Sequence, residues 1–422
     1  MKKVICAILS AAMLLAMCGC AKKETTDAEK DLDRKTSDKE TEDPTTDPEM
    51  TTEQFVSMEI ERVNEPVRIV DQDGKEIRTL ENFGAVQLMD TGIFYMAVAP
   101  GDKDVTQYRI FDPESGEDKL LGEIRDQGYI ASYSTLEVGG KIYTLTTVGD
   151  PIDDKPDTLL LLECDPETET MEKYVISEDG FPYAGMTEKE GRIVLFQHDQ
   201  QETLYDRVVE FDPGTKEMKE ILCFELPKDM VGESVRGISW YGGKLYVLTV
   251  SFGKGGEVRL VIHTYDETYQ ELDEYEISDA IAEVPGNDEA LLNEMKQMVA
   301  HFDVLSETVY YYENFSSSAF FGDVGSGRLL LTAPVISRSN GMGEAYYRVL
   351  LSEEDEGFRM VSEKDGNFTD SGFRAKDEGY QIDTISTNRE GKILVGTRVR
   401  AAEKMEHPEK VDVYYYLDAP EK

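Results

Sequence analysis

Six times the chain repeats one local pattern: a half-apolar run, a turn ending in Gly, usually a basic residue, then an apolar run. The turn glycines are Gly92, Gly140, Gly191, Gly243, Gly327 and Gly391. They introduce IFYMAV, KIYTLTT, RIVLF, KLYVLTV, RLLLTA and KILVGT. By their numbers, successive glycines are 48, 51, 52, 84 and 64 residues apart. A strand-only unit of about 40 to 50 residues cannot bury its faces alone and must stack on neighbouring copies.

A second turn recurs between these. It reads FDPESGED from Phe111, CDPETET from Cys164, FDPGTKE from Phe211 and YDETYQE from Tyr265. Aspartate starts a turn by accepting from the backbone two residues on, and a following proline presets φ. Each unit therefore reads as strand A, Gly turn, strand B, loop, strand C, Asp turn, strand D. The expected fold is all-β, a six-bladed β-propeller over residues 55–422, with blades starting near Gly84, Ile130, Pro182, Val235, Ser316 and Gly379. The last blade has only three strands of its own. The hairpin EPVRIVDQDGKEIRTL from Glu65 is expected to complete it and close the ring. Asp71-Gln72-Asp73-Gly74 within it reads as a turn, since a calcium loop needs more oxygen ligands at set spacing. In the long interval before Gly327, Asn287–Phe302 has the spacing of a short amphipathic helix inserted between blades four and five. The strand-like HFDVLSETVYYYENF that follows leaves a seventh blade open.

Residues 1–20, MKKVICAILSAAMLLAMCGC, carry a basic start and an apolar stretch too short to span a bilayer comfortably. This resembles the leader and lipobox of bacterial lipoproteins. Cys20 after Gly19 fits the lipidated position best, and Cys18 after Met17 is the second choice. The resemblance implies a protein anchored by lipid to the cell membrane on its extracytoplasmic face. Residues 21–54 have almost no large apolar side chain and read as an acidic, disordered tether. Beyond them only Cys164 and Cys223 remain, in neighbouring blades; two buried thiols are expected there rather than a bridge.

The A–B and C–D turns share one face of a propeller, and the B–C and D–A loops share the other. Here the first set is short and repetitive, while the second is long and individual, for example TTVGDPIDDKPDT and TRVRAAEKMEHPEKV. Function concentrates on such individual loops. Ligand-binding candidates on that face are Tyr129, Tyr183, His198, Asp199, Arg236, Arg338 and Arg398.

The formal net charge of -42 disfavours nucleic acid and anionic lipid headgroups as partners. No GxSxG, P-loop, HExxH or CxxC pattern occurs, and the four histidines are scattered, so neither a metal nor any other cofactor is expected. The WD dipeptide and the Kelch tryptophan are absent. FDPESG and FDPGTK resemble in part the Asp-Pro-x-Thr-Gly turn of divergent bacterial propeller repeats of the PQQ-like type, over residues 65–418. That resemblance implies the propeller and no quinone, because the tryptophan that follows the turn in such repeats is missing. The reading is a binding or scaffolding module for an envelope protein or glycan. The alternative is a hydrolase or lyase acting on glycans, which would need clustered carboxylates with raised pKa at the channel mouth.

Overall fold

The computed structural model describes residues 65–418, apart from residues 82, 126–128, 150–156, 200–203, 227–231, 254–257, 277–300, 306–307, 313–317, 324–327, 337–342, 355–356, 362–366 and 375–378. Cys20, Arg338, Gly327, the leader and the tether lie outside the described residues.

The N-terminal hairpin is β1 (Val67–Val70) and β2 (Glu76–Leu80). Blade one follows as β3 (Phe83–Met89), β4 (Gly92–Ala99), β5 (Asp102–Phe111) and β6 (Asp118–Arg125), hydrogen-bonded in that order. Blade two is β7 (Tyr129–Val138), β8 (Lys141–Gly149), β9 (Asp157–Asp165) and the first half of β10 (Thr170–Lys189). The second half of β10 begins blade three, with β11 (Arg192–Asp199), β12 (Leu204–Asp212) and β13 (Glu217–Leu226). The predicted D–A loop ISEDGFPYAG is thus a continuous strand that joins two blades into one seven-stranded sheet. Pro182 is tolerated there because it falls in a bulge, where no ladder hydrogen bond is lost. Blade four is β14 (Gly232–Tyr241), β15 (Lys244–Phe252), β16 (Val258–Tyr265) and β17 (Glu271–Glu276).

The next region departs from the expected order. β18 (His301–Leu305), β19 (Thr308–Tyr312), β20 (Ser318–Asp323), β21 (Arg328–Ile336), β22 (Gly343–Glu354), β23 (Gly357–Val361) and β24 (Asn367–Arg374) form two sheets. One is ordered β18-β21-β22-β23 and the other β19-β20-β24. The strand expected to open blade five from Ser316 is β20. It pairs with β19 and β24 rather than across Gly327 with β21. β18 takes the place beside β21 instead. Several adjacent segments have equal strand character, so pairing is decided by tertiary neighbours and not by local pattern. His301 and Phe302, the last residues of the predicted inserted helix, belong to β18; the rest of that helix falls outside the described residues.

The last sheet contains β25 (Tyr380–Thr387), β26 (Lys392–Val399) and β27 (Val413–Asp418), with α1 (Ala401–Glu406) in the loop between β26 and β27. As expected, the N-terminal hairpin completes it: β1 pairs with β27, in parallel, giving the order β2-β1-β27-β26-β25. The chain is therefore an all-β propeller. Among the described residues, seven sheet units can be distinguished: the six expected plus the three-stranded sheet. Asp71 accepts from Asp73 N at 3.0 Å and Lys75 N at 2.9 Å, which makes Asp71–Gly74 the turn of the closing hairpin.

The apolar runs after the glycines have a physical reason to be continuous. Successive strand residues point to opposite faces, and the B strands β4, β8, β11, β15 and β26 are covered on both. Ile93 and Tyr95 pack with Val67, Ile69 and Leu394 of the closing sheet. Phe94 and Met96 pack with Ile142, Leu162 and Cys164 of blade two. Ile193 and Leu195 join blade two, while Val194 and Phe196 join Val235 and Val247 of blade four. Each such side chain contributes about 1.5–3 kcal/mol by leaving water.

Buried ion clusters clasp neighbouring blades beside the Asp turns. Glu163 of blade two, 3% exposed, accepts from Lys141 at 2.6 Å and from Lys216 of blade three at 2.5 Å. Glu210 of blade three accepts from Arg192 at 2.8 Å, from Lys189 at 3.3 Å and from the Tyr269 hydroxyl of blade four. Lys189 also lies 3.9 Å from the Tyr269 ring centre and 4.8 Å from that of Trp240, so the single tryptophan is a packing residue. Lys216 and Tyr269 reach back from turn positions with φ of 63° and 67°. Asp118 of blade one accepts from Arg109 at 3.1 Å, from Tyr95, and from Arg78 on the closing hairpin at 2.6 Å.

Burial opposes the ionised forms of Glu163 and Glu210. For Glu163 the Lys141 and Lys216 hydrogen bonds outweigh it, and for Glu210 those from Tyr269 and Lys189 do, so both carboxyls sit below the ordinary range. Because their folded-state values are depressed, their stabilisation is present above the unfolded value, about 4.3, and is lost as pH falls through the folded one. Glu163→Gln is expected to lower unfolding free energy at pH 7 by about 2 kcal/mol and to reduce the further loss on acidification. Urea unfolding at pH 7 and pH 4 checks both.

Cys164 and Cys223 form no disulfide. Cys164 is buried, and burial pushes its thiol up to about 12. Cys223 is exposed on the outer strand β13, contrary to the expectation of two buried thiols, because that strand has one open side. Alkylation of the native chain followed by peptide mass mapping is expected to label Cys223 and to leave Cys164 unmodified until the chain unfolds.

Candidate functional site

The face carrying the Gly and Asp turns spends its polar groups internally. Asp212 Oδ1 accepts from Gly214 N at 2.8 Å and Thr215 N at 3.1 Å, and Asp165 and Asp266 form equivalent turns. The Thr215 and Gly214 amides hold the Asp212 carboxyl below its usual range. Gly140 and Gly191 have φ of 78° and 81°, a region that disfavours any residue with a Cβ.

The opposite ends of the innermost strands carry a repeated irregularity. The register shifts between Phe83 and Val86 in β3, Ser132 and Ser134 in β7, Phe181 and Ala184 in β10, Val235 and Gly237 in β14, and Ile382 and Thr384 in β25. The residues skipped are Gly84 and Ala85, Tyr133, Pro182 and Tyr183, Arg236, and Asp383. They recur seven to nine positions before the turn glycine of their own blade. A bulge takes its extra residue out of the strand ladder and bends the strand, and bulges gather beside functional sites. Two sequence candidates, Tyr183 and Arg236, are bulge residues. Tyr133 and Asp383 were not anticipated. The repeated offset from the glycine is a signal that could have found them.

The remaining candidates sit at the same end of the blades. Tyr129 pairs with Gly149 where β7 begins, and Arg398 pairs with Gln381 near the end of β26. His198 and Asp199 close β11, with His198 opposite Phe181 on one side and Asp206 on the other. This brings Tyr183, His198 and Asp199 into blade three beside the Arg236 bulge of blade four. Tyr129 and Arg398 stand on other blades. Asp206 provides the link. It is 3% exposed, and its Oδ2 accepts from Val235 N, next to Arg236, at 2.5 Å. Arg236 itself is half-buried. Innermost strands are tied elsewhere in the same way, Ser386 Oγ accepting from Leu88 N at 2.9 Å and Thr187 Oγ1 from Trp240 N at 3.1 Å.

Among the described residues, Glu137 is the carboxyl raised above its range, first by burial and then by Asp90, and it lies beside the Gly turns, hydrogen-bonded to Thr91.

A separate polar group centres on His263, buried on β16. Its Nδ1 is 2.9 Å from Glu271 Oε1 and its Nε2 is 2.9 Å from Glu233 Oε2. Burial disfavours a charged ring, but Glu233 and Glu271 outweigh it and hold the imidazole above its ordinary value. Among the described residues, His263, Glu271 and Glu274 are the group whose ligand atoms, within 4.8 Å of one another, could hold a metal ion.

No family model matches the chain, and no curated protein matches it. Solved structures with detectable likeness include the β-propeller domain of the Trilobed protease from Pyrococcus furiosus, at 12% identity over 82% of this chain and 84% of that one, with a TM-score of 0.39. The WD40 domain of SCAP from fission yeast matches at 10% identity over 83% and 81%, with a TM-score of 0.33. A putative exo-beta-1,3-galactanase from Bifidobacterium bifidum s17 matches at 10% over 70% and 95%, with a TM-score of 0.36. At these values the fold rests on this chain's own sheet topology.

Asp206→Ala is expected to cost about 1–3 kcal/mol by orphaning a buried amide and to speed hydrogen exchange at Val235 more than at Val247. Amide exchange read residue by residue tests it.

Proposed function

We propose that the chain is a non-catalytic binding module, a propeller held at the extracytoplasmic face of the cell membrane through lipid on Cys20. Its ligand, a polar protein or glycan component of the envelope, docks on the face opposite the Gly turns. The observation that supports this reading is the bulge series. Toward that face, five innermost strands break register at equivalent positions, and Tyr133, Tyr183, Arg236 and Asp383 are among the residues at the breaks. The other face is occupied by the Asp turns and the buried ion clasps. The acidic net charge of -42 keeps the surface from adhering to nucleic acid or anionic lipid.

The test is binding of the full-length chain to a panel of glycans, peptidoglycan fragments and extracted envelope proteins, with turnover followed in the same wells. The expected result is saturable binding without product, weakened about tenfold or more by Tyr133→Ala or Arg236→Ala. Product formation, or binding untouched by both substitutions, overturns the reading. Cys20→Ala is expected to move the chain from the membrane fraction to the soluble fraction, because stable anchoring requires two or more buried acyl chains. Fractionation and metabolic lipid labelling check that.

A further inference from the structure

His263 interrupts the apolar strand VRLVIHTY and is 5% exposed. Its ring is fixed on all sides. Phe224 of blade three lies 5.6 Å away and Tyr265 lies 6.4 Å away, centre to centre. Thr249 Oγ1 and Glu233 Oε2 stand 3.3 Å and 2.9 Å from Nε2. Cross-strand register sets Glu274 directly opposite His263, and the shift between Thr264 and Tyr265 brings Glu271 into the same group.

We propose that His263 Nδ1, Glu271 and Glu274 bind a divalent transition-metal ion of the zinc type, with Glu233 orienting the ring from Nε2. An anchored imidazole and two carboxylates on the adjacent outer strand supply three ligands, and the solvent side leaves a fourth position for water. Zinc needs bonds of about 2.0–2.2 Å, so ligand atoms now within 4.8 Å must draw together. The members placed to move are the exposed ones: the Glu271 side chain is 50% exposed and Glu274 is exposed, whereas His263 is buried at 5%. A carboxylate on the far nitrogen is the arrangement that fixes the tautomer of a metal-ligating histidine. Here it keeps the proton on Nε2 and leaves the Nδ1 lone pair for the ion. The ion takes the Nδ1 side that Glu271 Oε1 faces at 2.9 Å, and a proton held between those two atoms leaves to solvent on binding. One nitrogen and two oxygens favour zinc over magnesium or calcium, which take six or more oxygens. The ion would tie the edge strand β17 to β16.

The test is calorimetric titration of the full-length chain with Zn2+, with the His263 ring followed by 15N NMR. One saturable site is expected, with a metallated shift at His263 Nδ1 and no comparable heat with Mg2+. Glu274→Gln, an exposed change that spares the core, should weaken the site about tenfold or more, and Glu233→Gln about 10–100-fold. Circular dichroism confirms that both variants fold. Absence of zinc uptake, or uptake that both substitutions leave unchanged with the His263 signals unmoved, overturns the proposal.

Discussion

Among the described residues, the blades bury both faces of their sheets, so each needs a neighbour on either side. The B strands show this most directly: Ile93 and Tyr95 face one interface while Phe94 and Met96 face the next. Such an array has no stable end until it meets its own beginning. The closing sheet meets that demand. β1 pairs with β27, the hairpin β1–β2 shields what would be an open edge, and Arg78 reaches from β2 to Asp118 of blade one. Lys404 of α1, nearly buried, holds Glu65 at the entry to β1 at 2.6 Å. Polar contacts of this kind fix register and order, while apolar burial supplies most of the stabilisation.

The two faces of the ring follow from that construction. Tight Gly and Asp turns satisfy their own backbone groups and place Lys216 and Tyr269 where they clasp the acid of the preceding blade. That face is committed to stability. The other ends of the innermost strands carry the bulges, where pairing is interrupted. Irregularity repeated at one level of five blades belongs to the architecture, and it leaves the identity of each bulge residue free to vary: tyrosine, arginine, aspartate or glycine.

The chemistry around His263 is of a different origin. It comes from one blade, with Glu233 on the inner strand, His263 on the third and Glu271 and Glu274 on the outer. A histidine inside an apolar strand, followed by the acidic strand ELDEYE, is visible in the sequence. Its meeting with Glu233, 30 residues earlier by number, is not.

The sequence by itself determined the repeat, the all-β class, the Asp and Gly turns and the closing hairpin. These depend on local rules: turn geometry, alternation and the special φ of glycine. Only the tertiary structure decided that ISEDGFPYAG continues as strand, that β20 leaves the predicted blade five for a sheet with β19 and β24, that Cys223 faces solvent, and that Asp206 reaches Val235. In each case the local pattern allows more than one outcome, and the choice fell to contacts between residues distant in sequence.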